Sequence, residues 1–186
     1  MEPGKIIKSF ISKSGKEILL RYPSIDDVGI LLKYINTISR ENTFITMSGE
    51  QESLESETKW LQGILAKMSQ KDGVHILALH NKELVGTTQV LRDTEGKKRT
   101  AHVGHFGLSV KKEYRSDGIG YELAKTVVDR AHVELQLQIV TLFVYEPNIK
   151  ARQLYASVGF KEYGILPAGT FYKDTYVDTI LMYKQF

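Results

Sequence analysis

Residues 108–121, L-S-V-K-K-E-Y-R-S-D-G-I-G-Y, constrain this chain more than any other stretch. An apolar run ends at Val110, and a short charged turn passes through Arg115, Ser116, Asp117, Gly118, Ile119 and Gly120 into a segment of helical period. Ile119, Leu123, Val127, Ala131 and Leu135 recur every four residues, which predicts a helix over residues 118–135. Glycines at 118 and 120 let a ligand approach the backbone, and the first turn of a helix leaves its N–H groups without intrahelical acceptors. Those donors, the positive end of the helix dipole and the forked guanidinium of Arg115 together suit a pyrophosphate. The plain alternative is a pair of glycines easing a tight helix start. Neither G-x-G-x-x-G nor G-x-x-x-x-G-K-[ST] occurs in the chain, so the two best-known phosphate loops are not indicated.

The rest of the chain fits a layered α/β domain around that segment. Residues 17–22 read as a strand ended by Pro23. Ser24 followed by Asp27 is an N-terminal capping pattern, with Val28, Leu31, Leu32, Ile35 and Ile38 at helical spacing behind it. Residues 51–70 read as a second helix. The period then shortens: residues 75–79 and 84–92 are apolar runs joined by Asn81-Lys82, which predicts a hairpin, and residues 101–110 form a further strand. Residues 139–145 are a nearly all-apolar strand of the buried type. Residues 148–158 make a short helix with Ala151, Leu154, Tyr155 and Val158 on one face, and Gly159 stands where a helix-ending glycine belongs. Strands near 161–165 and 177–184 close the chain. The expected order is strand, two helices, three strands, helix, strand, helix, two strands, a mixed sheet with helices packed on it.

Composition narrows the function. The chain has 186 residues, 42% hydrophobic and 25% charged, which suits one globular domain that needs no disulfide or metal to fold. There is no cysteine, which excludes a disulfide framework, a thiolate metal site and a cysteine nucleophile together. A net charge of +3 carries no basic stripe of the kind a nucleic-acid binder needs, so no nucleic-acid partner is expected. The densest basic cluster, Lys97-Lys98-Arg99 beside Thr94-Glu95-Gly96, reads as a solvated hairpin tip. The first residues, Met-Glu-Pro-Gly-Lys, form no apolar stretch of signal-peptide length, and no apolar run approaches membrane-spanning length, so no membrane partner and a cytoplasmic location are expected.

A second segment adds to the first. Residues 145–160 run Y-E-P-N-I-K-A-R-Q-L-Y-A-S-V-G-F. Taken with R-S-D-G-I-G at 115–120, this resembles the GNAT N-acetyltransferase superfamily, whose phosphate loop has the form R/Q-x-x-G-x-G/A. Its later helix carries an Asn, an Ala and the string L-Y-x-x-x-G-F. The resemblance covers residues 101–160; residues 172–182 look like the last strand of such proteins, and the first hundred residues fit in order only. It implies an acyl-CoA N-acyltransferase fold: a single mixed, mostly antiparallel sheet with a central parallel splayed strand pair and helices on both faces. It implies acetyl-CoA as cosubstrate and no metal. The pantetheine arm would pair with backbone groups of Leu108 and Val110, residues 115–120 would hold the pyrophosphate, Asn148 would contact the pantetheine side, and Tyr155 would point its hydroxyl at the thioester sulfur.

The chemistry of acetyl transfer agrees with these roles. It needs a neutral amine, donors for developing negative charge on oxygen, and a proton for the departing thiolate. A phenol with a reference pKa of ~10 keeps its proton at neutral pH and can supply it. Tyr155 also fits an amphipathic core tyrosine, and Asn148 a simple helix N-cap after Pro147. For the general base, many relatives carry a glutamate two residues before a glycine such as Gly107. Here that position is His105, which could relay a proton through water or be a satisfied core histidine. Glu41 is a second candidate, because the loop it begins lines the acceptor site in relatives, and water is a third. His102 and His105 are three apart, on opposite sides of a regular strand, and make a poor metal pair. Lys150, Arg152, Lys111 and Lys112 are candidates for the 3′-phosphate of CoA. The implied activity is acetyl transfer to a primary amine, either a small molecule, a polyamine or a protein N-terminus. Residues 43–53 and the terminal aromatic strand resemble those of small-molecule and ribosomal-protein acetyltransferases. A noncatalytic acetyl-CoA sensor is the other reading, and the apolar strand at 177–184, taken as a sheet edge, suggests a homodimer.

Overall fold

The computed structural model describes residues 1–93 and 98–186. The chain begins with two antiparallel strands, β1 (Ile6–Ile11) and β2 (Glu17–Arg21), joined by a tip at residues 12–16. The helix α1 (Val28–Arg40) follows a short turn that is fastened by charge: Arg21 grips Asp27 with both terminal guanidinium nitrogens, at 2.6 and 2.5 Å, and the Ser24 N–H donates to the same carboxylate at 2.7 Å. Burial alone would raise the Asp27 carboxyl, but these donors outweigh it and hold it below the usual carboxylate range. The helix α2 (Leu54–Ser69) starts at Ser53, whose hydroxyl accepts from the Ser56 N–H at 3.1 Å.

The strands β3 (Gly73–His80) and β4 (Glu83–Arg92) form the expected hairpin, with φ of 48° and 68° at Asn81 and Lys82 matching a type I′ turn. Then come β5 (Val103–Val110), α3 (Ile119–Leu135), β6 (Ile139–Tyr145), α4 (Ile149–Val158), β7 (Lys161–Tyr172) and β8 (Thr175–Gln185). All eight strands form one sheet in the order β1-β2-β3-β4-β5-β6-β8-β7, antiparallel throughout except for the central β5–β6 pair.

Helices cover both faces, and the alternation of β3 decides which residue meets which layer. Ile76 and Ala78 join Val85, Val90 and the α3 side chains Leu123, Val127, Ala131 and Leu135 in one cluster, which α4 extends with Tyr155 and Val158. Leu77 and Leu79 join Leu84 and the α1 side chains Leu31, Tyr34 and Ile38, with Leu61 from α2, in the other. This explains why β3 reads as a continuous apolar run rather than an alternating one.

The fold corrects three expectations. There is one strand more than expected, β1, which the sequence reading missed. Lys8 and Ser9 interrupt its apolar run, and as an edge strand with exposed Ile6 and Ile11 it lacks the pattern of an inner strand. The strand at 161–165 is longer, running to Tyr172. Residues 177–184 do not lie at an edge: β8 is paired with β6 on one side and β7 on the other, so β7 is the edge at that end. At the basic cluster, Lys98 and Arg99 lie exposed in a 3₁₀ turn, while Thr94, Glu95, Gly96 and Lys97 fall outside the described residues.

Candidate active site

The central parallel pair is short. β5 and β6 pair at Val103–Ile139, Gly104–Val140 and His105–Thr141, and no further. Yet β5 stays on β4 as far as the Val110–Gly86 pair, and β6 stays on β8 as far as Tyr145–Thr179. The sheet therefore splits between them, and the β6-facing backbone groups of residues 106–110 have no strand partner. Immediately past the last pair, the rings of Phe106, Tyr155 and Phe160 pack together, with centroids 5.5 to 6.2 Å apart. A cavity of about 950 Å³ opens along this split, bounded by β5, the turn into α3, α4, the β1–β2 tip and residues 43–45.

The turn into α3 presents donors to that cavity. Gly118 takes φ +87°, a left-handed conformation in which a side chain would be strained, and Ser116 is also positive at 64°. Among the described residues, the N–H groups of residues 116–121 donate to no other protein atom, while the next one, from Glu122, returns to Gly118 O at 3.2 Å. A run of such amides at a helix start is an anion cradle. Gly120 is where the wall must stay thin: a Cβ there would lie 3.3 Å from Leu154 Cδ2, with Leu108 and Val110 just behind.

Two side chains of the expected phosphate segment are engaged elsewhere. Asp117 faces the β1–β2 tip, where it accepts from Ser14 N–H at 2.6 Å and Ser14 Oγ at 2.7 Å. Those Ser14 donors hold its carboxyl below the ordinary range. Arg115 lines the cavity, donates through Nε to Val110 O at 2.8 Å, and pairs through Nη2 with Glu41. Glu41 also accepts from the Lys112 N–H at 3.2 Å, so both oxygens of this candidate base are occupied.

On the other side of the split, α4 carries the remaining groups. Asn148 Oδ1 accepts from the Ala151 N–H at 3.3 Å, which makes it the N-cap, and the residue lines the cavity as well. Tyr155 is 8% exposed, and burial pushes its phenol up to about 12. Its hydroxyl makes no hydrogen bond to the described residues and is not sealed away, since Thr126 Oγ1 is the one buried side-chain oxygen among them without a partner. A neutral phenol aimed into a cleft is thus free to donate.

His105 is placed differently. It sits at the last position of β5 that pairs with β6, with a side chain 61% exposed, and it does not line the cavity. Its Nδ1 lies 2.8 Å from Thr141 Oγ1 and its Nε2 lies 3.5 Å from Asp93. The candidate cations separate as well. Lys150 lines the cavity, Lys111 is buried against Glu83 at 2.6 Å, and Arg152 is held by Glu162 at 2.9 Å.

Sequence reasoning missed several lining residues. Ser109 reaches the cavity and shares a 2.9 Å hydrogen bond with Tyr34 of α1, whose fully buried phenol is raised above the ordinary range. Phe44 lines the cavity, stacks on Tyr172 at 4.8 Å and meets Tyr145 edge-on. Lys13 enters from the β1–β2 tip, where the turn-rich string S-K-S-G-K was a usable signal.

Known structures share this architecture. A GNAT-family acetyltransferase from Streptococcus pneumoniae superposes with a TM-score of 0.82 and 25% identity, covering 90% of this chain and 98% of its own. A ribosomal-protein-alanine N-acetyltransferase from Brucella melitensis gives 0.78 at 21% identity, over 90% and 99%. A phosphinothricin acetyltransferase from Sinorhizobium meliloti, solved with acetyl-CoA, gives 0.78 at 16%, over 90% and 88%. Among curated protein sequences, none matches the chain. Residues 35–160, which hold the split strands, the amide cradle and Tyr155, match the acetyltransferase (GNAT) family, and the chain belongs to that family.

Proposed function

We propose that the chain is one acetyl-CoA-dependent N-acetyltransferase domain that moves an acetyl group directly to a primary amine. The observation that carries this reading is convergence: the unpaired edge of β5, the free amides of residues 116–121 and the unpartnered Tyr155 hydroxyl all meet one cavity. Acetyl-CoA supplies an activated thioester when bound. The backbone edge of Leu108 and Val110 suits its pantetheine amides, and the amides of Ser116, Asp117, Gly118, Ile119 and Gly120 suit its pyrophosphate. Asp117 contributes through its backbone alone, because its carboxylate is held by Ser14. Asn148 lies beside the pantetheine path.

In the transfer, the amine nitrogen bonds to the acetyl carbon as the carbon–sulfur bond breaks. Tyr155 donates its hydroxyl proton toward the leaving sulfur. We assign removal of the amine proton to water, because Glu41 is occupied by Arg115 and the Lys112 amide, and His105 lies outside the cavity.

A ribosomal-protein N-acetyltransferase and a phosphinothricin acetyltransferase share the fold, so protein N-termini and small-molecule amines both belong in the test. The test is a panel of peptides, polyamines, amino acids and amine-bearing antibiotics assayed for CoA release, with mass spectrometry of the product. Acetyl-CoA-dependent gain of one acetyl group on an amine is the expected result. Tight acetyl-CoA binding without transfer to any acceptor would overturn the reading in favour of a sensor.

A further inference from the structure

The β1–β2 tip lies against the phosphate turn although the two are far apart in the chain. Ser14 is tied to Asp117 through both its N–H and its hydroxyl, and the Lys13 N–H donates to Asp117 O at 3.1 Å. The tip is also held within itself, by Ser12 N–H to Lys16 O at 2.8 Å and Lys16 N–H to Ser12 Oγ at 3.2 Å. This arrangement carries Lys13 across the amide cradle. A Cβ built on Gly118 would lie 3.8 Å from Lys13 Cγ and 4.0 Å from its Cε, so the side-chain stem runs over that glycine.

The charges around the tip single out the same residue. Lys8 pairs with Glu122 at 2.6 Å, and Lys16 lies 3.8 Å from Asp117. Lys13, among the described residues, has no carboxylate within ion-pair distance, and it lines the cavity. An exposed ammonium set beside a row of free amides is a natural complement to a pyrophosphate, whose two linked phosphates carry one negative charge each.

We propose that Lys13 is a donor-binding residue that contacts the pyrophosphate of acetyl-CoA, and that Asp117 serves to dock the hairpin that delivers it. The proposal rests on the acetyl-CoA reading above. It gives the β1–β2 hairpin a task in the site and Asp117 a role other than touching the anion.

The experiment is a calorimetric titration of the full chain and of its Lys13→Met and Lys13→Arg variants with acetyl-CoA and with its 3′-dephospho form, each at two salt concentrations. Lys13→Met keeps the stem and deletes the charge, and an exposed position makes folding of either variant easy to confirm by melting temperature. Lys13→Met is expected to weaken both donors by about fivefold to twentyfold, as for loss of one charge-assisted contact near solvent. Its affinity should also depend less on salt than that of the parent protein. Lys13→Arg should retain most of the affinity. Unchanged binding by Lys13→Met overturns the proposal, and so does an equal loss in Lys13→Arg, which would make the stem's shape the cause. A loss seen with acetyl-CoA and absent with the dephospho form overturns it too, by moving the contact to the 3′-phosphate. A parent protein that binds neither donor would instead remove the acetyl-CoA reading itself.

Discussion

Replacing Tyr155 with phenylalanine separates chemistry from packing cleanly in this protein. The Tyr155 ring meets Phe106 at 5.5 Å and Phe160 at 6.2 Å, both steeply inclined, and Tyr155→Phe keeps both contacts. The hydroxyl it deletes has no hydrogen bond among the described residues, so stability should change by no more than about 0.5 kcal/mol. The catalytic consequence is far larger. General acid catalysis is worth ~10²–10⁴-fold, and kcat should fall by that factor with acetyl-CoA affinity nearly unchanged. Burial at about 12 keeps the phenol protonated across any assay range, so Tyr155 should leave no ionisation in the kcat profile below about pH 11. The same value limits how the proton moves. An ordinary thiol titrates near ~8.5, so complete transfer to a fully hydrated thiolate would be uphill by about 5 kcal/mol. Donation must therefore strengthen as the sulfur departs within the same apolar pocket, where burial raises the thiol as well. The assay compares kcat, donor Kd and melting temperature on one preparation, using an amine from the acceptor panel. A Tyr155→Phe enzyme that keeps more than about a third of its kcat would refute the assignment. A fall in melting temperature with normal turnover would make Tyr155 a core residue only.

Gly120→Asp sets a carboxylate in the thin wall beside the free amides, and like charges against a pyrophosphate should weaken acetyl-CoA binding by at least about 100-fold in a folded protein; titration showing normal affinity would remove the phosphate assignment. Glu57 is raised to about 7 by burial, with the charge of Glu52 adding to it, so it binds a proton in the folded state that the unfolded chain releases above ~4.3. Its contribution is complete below that unfolded value and is lost as pH rises through 7. Glu57→Gln should therefore gain about 1–2 kcal/mol at pH 8, after allowing for solvent access, and nothing at pH 4, as read from urea unfolding; an equal difference at both pH values would contradict this. The β7 edge exposes Tyr163, Ile165, Leu166 and Phe171, which favours a homodimer through that edge, and a single-chain mass in sedimentation at micromolar concentration would remove the idea.

The sequence by itself determined what short-range physics determines. The four-residue recurrence from Ile119 to Leu135 specified α3, Asn81-Lys82 between two apolar runs specified a hairpin, and Gly118 marked where the chain had to bend into a helix. Even the free amides at the start of α3 were legible, because unpaired N–H groups at a helix start follow from backbone geometry alone. Which side chains stand around those donors was decided only by the tertiary structure. Glu41 meets Arg115 and Ser14 meets Asp117 across separations of 74 and 103 residues, and no local pattern in one chain encodes such a pairing. The same holds for His105, left outside the cavity because the β5–β6 ladder ends at its own position, and for Lys111, drawn inward to Glu83. Lys13 was hidden for a further reason: the edge strand that leads to it is half solvated and interrupted by polar residues, so that strand was recognised only through its pairing with β2, and the place of Lys13 over Gly118 came from docking of the tip on Asp117. Periodicity reports which way a residue faces on its own element, whereas a binding site depends on which elements are brought together, and that is set by burial and charge pairing summed over the whole sheet.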